Sequence, residues 1–254
     1  MRLNDFIRQM EHIAPPELAM EWDNPGLLIS PENEDIHTVL IALDCTVQVA
    51  EEAVETKADL VLTHHPLFFS AVKHIRKDDP DTAAAWILLR HGIGLYAAHT
   101  NLDAADGGVN DVLMKMLGAG QVQKLQPDGL GRIGVLAEET TLSDFAGFIE
   151  GKLHARILVS GDPDAKVKTV ACIGGAGADD MLTAAEQGAD VFVTGEAKHH
   201  EGIRSNISGI PLIVAGHYET ECVVLEPLAA RLQDMTNDVQ YKIALSDNGP
   251  YWHR

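Results

Sequence analysis

The chain has 254 residues, 46% of them apolar, which is enough for one large or two modest domains with full cores. Its 38 acidic and 19 basic residues leave a net charge of −19, a surface that repels phosphate backbones and anionic lipids, so neither nucleic acid nor membrane is an expected partner. No apolar run approaches the roughly 18 to 20 residues that cross a bilayer, and Met1-Arg2-Leu3-Asn4-Asp5-Phe6 lacks the basic and apolar segments of a signal peptide, so a cytoplasmic location is expected.

Residues 38–65 read as a short β-branched run, a polar turn, an amphipathic helix and a second apolar run, the pattern of a βαβ unit on a mainly parallel sheet. The second run ends at Thr63-His64-His65-Pro66. Pro66 stops the strand by removing a backbone donor. Adjacent strand side chains face opposite ways, but at a strand end the pleat relaxes and both imidazoles can face one cavity, aimed at different points. That suits two ions better than one.

A further apolar strand, residues 92–100, ends at His99. Asp103 follows four residues later, a hard oxygen ligand able to bridge two ions, and His99 reads either as a ligand or, the favoured reading, as a residue that orients the ligands. Gly107-Gly108 then opens a helix over 109–117, with Asn110 or a neighbour near its cap. Gly and Pro interrupt the periodicity over 117–134, which places a join there. An amphipathic helix follows over 142–153, with Ser143 as cap candidate.

Residues 169–196 align without a gap on 38–65, matching Ala189-Asp190 to Ala58-Asp59 and Thr194 to Thr63. The turn Gly174-Gly175-Ala176-Gly177 lacks the third glycine of a dinucleotide fingerprint and reads as a tight turn with anion contact at a helix start. Glu196 and His199-His200 follow the second Thr. Residues 209–217 parallel 92–100 and end at His217. If a helix starts there, His217 and Glu221 share one face at i, i+4 spacing. Residues 226–241 read as a last helix and an edge strand.

Cys45, Cys172 and Cys222 form no CxxC pair, which excludes a thiolate zinc ribbon; each reads as a small buried residue, Cys222 being notable for its place beside Glu221. The fold class is therefore α/β, with two similar halves from an internal duplication: a first domain over 1–126 and a second over 127–254, whose C-terminal segment is free to pack back on the first. Ligands bind beyond the carboxyl ends of such strands. There His64, His65, Asp103, His217 and Glu221 give three imidazoles and two carboxylates, suited to two divalent ions of zinc, iron, manganese or similar kind. Five residues complete two coordination shells only with a bridging carboxylate or solvent oxygen, and a bridging hydroxide is a nucleophile near neutral pH.

The chain resembles the Nif-three-like (YbgI-like) family of dinuclear metal-binding proteins, many of them named GTP cyclohydrolase 1 type 2 homologues. The resemblance runs nearly end to end. It rests on Glu21-Trp22-Asp23-Asn24-Pro25-Gly26-Leu27, Thr63-His64-His65-Pro66, the His99 to Asp103 segment with Gly107-Gly108-Val109-Asn110-Asp111, Val193-Thr194-Gly195-Glu196, and Gly216-His217-Tyr218-Glu219-Thr220-Glu221. It implies intertwined three-layer α/β domains with mixed sheets, a toroidal homohexamer, and metal ligands at His64, His65, Asp103, His217 and Glu221. The expected activity is metal-dependent hydrolysis of a small molecule, GTP ring opening being one candidate, with Glu221, His99 or Glu196 shuttling the proton. The alternative is a non-catalytic metal-binding or regulatory hexameric assembly.

Overall fold

Leu3, Phe6, Met10 and Ile13 recur at helical spacing, and the first helix, α1 (Leu3–Ile13), buries all four. The computed structural model describes residues 1–251; the last three residues of the second predicted domain, 252–254, lie outside the described residues. After α1 come β1 (Gly26–Ile29), β2 (Thr38–Ala42), α2 (Val47–Glu55), β3 (Leu60–Thr63), α3 (Ala83–Arg90), β4 (Gly94–Ala97) and α4 (Thr100–Ala104). The chain continues through α5 (Val109–Met116), β5 (Ala119–Lys124), β6 (Arg132–Thr141), α6 (Leu142–Leu153), β7 (Leu158–Ser160), β8 (Lys166–Ile173), α7 (Met181–Glu186), β9 (Val191–Thr194), α8 (His199–Ser208), β10 (Leu212–Val214) and α9 (His217–Glu221). It closes with α10 (Leu225–Met235) and β11 (Gln240–Ile243).

Two units result: one of Met1–Ala105 with Leu225–Pro250, the other Asp106–Val224. The sequence pattern puts a single boundary at 126/127. The structure crosses at Ala105/Asp106 because α5 packs beneath the second sheet and β5 extends it. It crosses again at Val224/Leu225, where the chain returns to supply β11.

In the first unit the sheet order is β1-β4-β3-β2-β11, with β4, β3, β2 and β11 parallel and β1 antiparallel on β4. Leu40 and Ala42 of β2 face Val49, Ala50 and Ala53 of α2 and Leu88 of α3. On the opposite face Phe6 of α1 meets Tyr96 of β4 edge-on, centroids 5.8 Å apart. Covering both faces is why β2 and β3 read as continuous apolar runs rather than alternating ones.

The second unit has the order β5-β6-β8-β9-β10-β7. Here β8, β9 and β10 are parallel, and the pairings β5–β6, β6–β8 and β10–β7 are antiparallel. Alternation sorts the layers: Val170 and Cys172 face α5 and α6, while Ala171 and Ile173 face Met181 and Ala184 of α7. Each unit is thus helix, sheet, helix in section, and both sheets are mixed. The 117–134 stretch is no linker but most of an antiparallel hairpin, β5–β6, whose turn residues hid it.

Two aspartates at aligned positions of the two segments make similar bonds. Asp59 Oδ2 accepts from His37 N at 2.7 Å and Thr38 N at 2.9 Å, tying the end of the βαβ unit to its start. Asp190 Oδ2 accepts from Lys168 N at 2.9 Å and Thr169 N at 2.7 Å. Two caps differ from the sequence reading. Thr141, not Ser143, accepts from Asp144 N to cap α6. Gly108 is the cap residue of α5, and Asp111 reaches back to Gly107 N at 2.6 Å; Asn110 is instead buried, its Oδ1 accepting from Gly174 N.

Candidate metal centre

In the first unit the site begins where β3 ends. The ladder runs two residues past Thr63: His64 N donates to Ala42 O at 3.3 Å and His65 N to Leu43 O at 2.9 Å. Yet the two rings do not diverge. Their centroids are 5.0 Å apart at a 46° tilt, and His99 completes a triangle at 5.1 and 5.5 Å. One nitrogen of each ring lies within 4.8 Å of the others.

Every ring is anchored through Nδ1. His64 Nδ1 lies 2.8 Å from Ala98 O, and a carbonyl only accepts, so Nδ1 carries a hydrogen and, in the neutral ring, Nε2 bears the lone pair. His65 Nδ1 lies 2.8 Å from Asp44 Oδ1, and His99 Nδ1 lies 2.8 Å from Asp23 Oδ1. A carboxylate behind an imidazole fixes its tautomer and raises its basicity, the usual support for a metal-ligating histidine. Asp103, on the five-residue α4, is buried, and its Oδ1 is 3.6 Å from His64 Nε2. That is long for a hydrogen bond but close to the roughly 3.4 Å between two donors on a tetrahedral ion with bonds of about 2.1 Å.

Burial opposes ionisation of Asp23. Hydrogen bonds from His99 and Thr100, with the charge of His99, outweigh it and hold the carboxyl at about 2. Asp247 is buried behind the same region and accepts from Leu43 N. Burial there pushes its pKa up, the nearby Asp44 charge adding to the effect.

The second unit contributes His217 and Glu221, on one face of α9 as their spacing predicts. His217 Nε2 is 3.0 Å from Glu221 Oε2, and Nδ1 is 3.0 Å from Glu196 Oε1. An imidazole between two carboxylates presents a lone pair to one of them unless a second proton or a cation intervenes. The side chain of Glu221 is 5% exposed, that of Glu196 58%. The glycine turn has a structural task here. Gly175 has φ +62°, and a Cβ on it would collide with the Glu221 carboxylate and come within 3.1 Å of His217 Nε2. Three of its four amides bond within the protein: Gly174 N to Asn110 Oδ1, Gly175 N to Thr220 Oγ1 and Gly177 N to Thr194 Oγ1. His199 and His200 start α8 in solvent.

The structure brings His64, His65, His99 and Asp103 together in the first unit, and His217, Glu221 and Glu196 in the second. Sequence reasoning missed Asp44, Asp23 and Asp247. Asp44 had a signal, a carboxylate just beyond the end of β2. Asp23 sat in the one motif without a physical reading, and its task is now plain: it grips His99 Nδ1 and receives Thr100 N at 3.0 Å. Asn24 ties the same loop to Phe68 O at 2.6 Å. Cys45 and Cys172 are buried, and burial pushes both thiols up to about 12, as inert core residues behave. Cys222 is partly exposed.

The fold and these donors define a class, an α/β protein carrying histidine and carboxylate groups that can hold metal ions at its strand ends. The chain belongs to the Duf34/NIF3 (NGG1p interacting factor 3) family, which it matches over residues 1–250. A Clostridium perfringens protein named GTP cyclohydrolase 1 type 2 homolog is 33% identical, covering 99% of each chain. The crystal structure of a Staphylococcus aureus hypothetical protein superposes with a TM-score of 0.94 at 30% identity, covering 100% of this chain and 99% of that one. The structure of protein ybgI, of unknown function, gives 0.87 at 25% identity, covering 96% and 98%. No helix among the described residues is long and apolar enough to cross a membrane.

Proposed function

We propose that His64, His65 and Asp103 of the first unit and His217 and Glu221 of the second serve one pair of divalent ions, and that the protein is a metal-dependent hydrolase. One observation carries this reading: four histidines, His64, His65, His99 and His217, each have Nδ1 anchored to an oxygen, the outer support that metal-ligating histidines usually have. Neither set alone fills a four-coordinate shell, so sharing a pair of ions is the economical assignment. A bound pair of divalent ions supplies a Lewis acid and acidifies water.

The chain's own groups do the rest. His64 is buried and held by Ala98 O, and His65 and His217 are oriented by Asp44 and Glu196. Glu221 sits beside His217, where it can take up or release a proton. His99, backed by ionised Asp23, is the other candidate for proton transfer. Glu196 acts through His217 and is a positioning residue. GTP is a reasonable first substrate because curated relatives carry a cyclohydrolase name. We further propose a cytoplasmic homohexamer on the family resemblance.

Elemental analysis of gently purified protein, beside a His65→Ala control, should give two ions per chain for the parent and fewer for the variant. Incubating the metal-loaded protein with GTP and following formate release then tests the reaction. Full metal with no release rejects the cyclohydrolase; no turnover across phosphatase, peptidase and cyclohydrolase substrates would favour a metal-binding assembly without catalysis.

A further inference from the structure

Two large aromatic side chains stand in solvent beside the histidine triangle: Trp22 is 63% exposed and Phe69 53%. A lone exposed aromatic is ordinary, but these two are a pair, 6.4 Å apart between centroids with a 31° tilt. Each is set edge-on to the same third ring, Trp22 to His99 at 5.9 Å and 74°, and Phe69 to His99 at 5.6 Å and 75°. The arrangement has two walls and one crossing ring. A cleft of about 370 Å³, lined by Asp23, Asn24 and residues 68–72, opens alongside.

We propose that Trp22 and Phe69 form a clamp for a planar nitrogen heterocycle, one edge of which meets His99. Three rings clamped face to face need roughly 7 Å between the outer two, twice a contact distance of about 3.5 Å. The two centroids are 6.4 Å apart, so a guest enters once the exposed rings turn parallel and part by less than 1 Å. Aromatic side chains recognise a base through its π face whatever its substituents. The third ring selects among flat guests. His99 Nδ1 is committed to Asp23, so Nε2 can accept a hydrogen bond from a ring N–H or an exocyclic amino group, which a plain hydrocarbon lacks. Position adds the last point. His99 lies 5.1 and 5.5 Å from His64 and His65, so a clamped ring reaches the donor cluster edge-first.

This rests on the histidine cluster being the reaction centre, but its test does not depend on turnover. Isothermal titration calorimetry with guanosine as probe should show saturable binding to the parent protein and none for ribose 5-phosphate at the same concentration. Trp22→Ala and Phe69→Ala should each weaken guanosine about tenfold or more, whereas Trp22→Phe, which keeps a ring, should stay within about threefold. Both positions are exposed, so the variants should fold, which circular dichroism checks. Equal binding by parent and alanine variants, or binding of ribose 5-phosphate as strong as guanosine, overturns the clamp. So does a change of sedimentation in Trp22→Ala without any guanosine binding to the parent, which would make the pair a contact between copies. Metal content measured on the same variants separates the two readings: intact metal with no ring binding removes the clamp alone.

Discussion

The two units share a parallel core, β4-β3-β2 in one and β10-β9-β8 in the other, yet they end their strands differently. After Thr63 comes His64-His65; at the aligned positions after Thr194 come Gly195-Glu196. The first unit buries its chemistry: His64 is 2% exposed and held by a backbone carbonyl. The second keeps its histidine a third exposed, oriented by the largely exposed Glu196. The scaffold residues, Asp59 and Asp190, make the same kind of bonds, while the strand-end residues differ. A βαβ frame fixes where a strand stops and leaves open what is placed there.

Removing a ligand should show that asymmetry most. His64→Ala should lower metal affinity by about a hundredfold or more and also destabilise the fold, because it empties a buried site. His217→Ala should cost comparable affinity with little change in melting temperature. Chelator competition and thermal unfolding on both variants would check this, and equal melting losses would break the contrast. One step back from the metal, Asp44→Asn should cost about 10- to 100-fold in metal affinity by loosening His65. Glu196→Gln, at an exposed oxygen that water can replace, should cost about threefold or less.

Asp23 anchors His99 from within the protein where Glu196 anchors His217 from the surface, and its low pKa makes a pH prediction. The folded value is about 2 against an ordinary 3.8, so the ionised form stabilises the native state fully above pH 4. That stability is lost as pH falls from about 4 to 2. The loss is about 2 kcal/mol from the size of the shift. Urea titrations of metal-free protein at pH 5 and pH 3 should show about half of it, since pH 3 lies midway between the two values, and Asp23→Asn should show a smaller loss over that interval.

The sequence carried the βαβ units because apolar runs, helical periodicity and the paired Ala-Asp and Thr positions are local signals. It also carried the donor residues, since strand-end histidines beside Pro or Gly stand out. The hairpin β5–β6 was hidden because β5 is mostly exposed and the hairpin is rich in turn-forming residues. The anchors Asp23 and Asp44 were hidden for a different reason: each acts across 76 or 21 residues of chain, on a partner that only the folded backbone brings near. The unit boundary escaped because the chain returns to the first sheet at β11, a long-range pairing with no local mark.

The finest form of the comparison lies in the two aspartates that do not differ. Each accepts two strand-start amides through one oxygen, and neither touches a metal ligand. Asp59→Ala and Asp190→Ala should therefore each cost about 1–2 kcal/mol, the penalty for stranding partly buried N–H groups, and should leave metal content unchanged. The informative quantity is the difference between the two costs, read from urea midpoints at a common m-value. Values within about 0.5 kcal/mol would mean that the repeat is energetic as well as topological. A twofold gap would mean that the second unit, with its three antiparallel strands, holds its strand start by other bonds, and the shared sequence pattern would then record descent without equal duty.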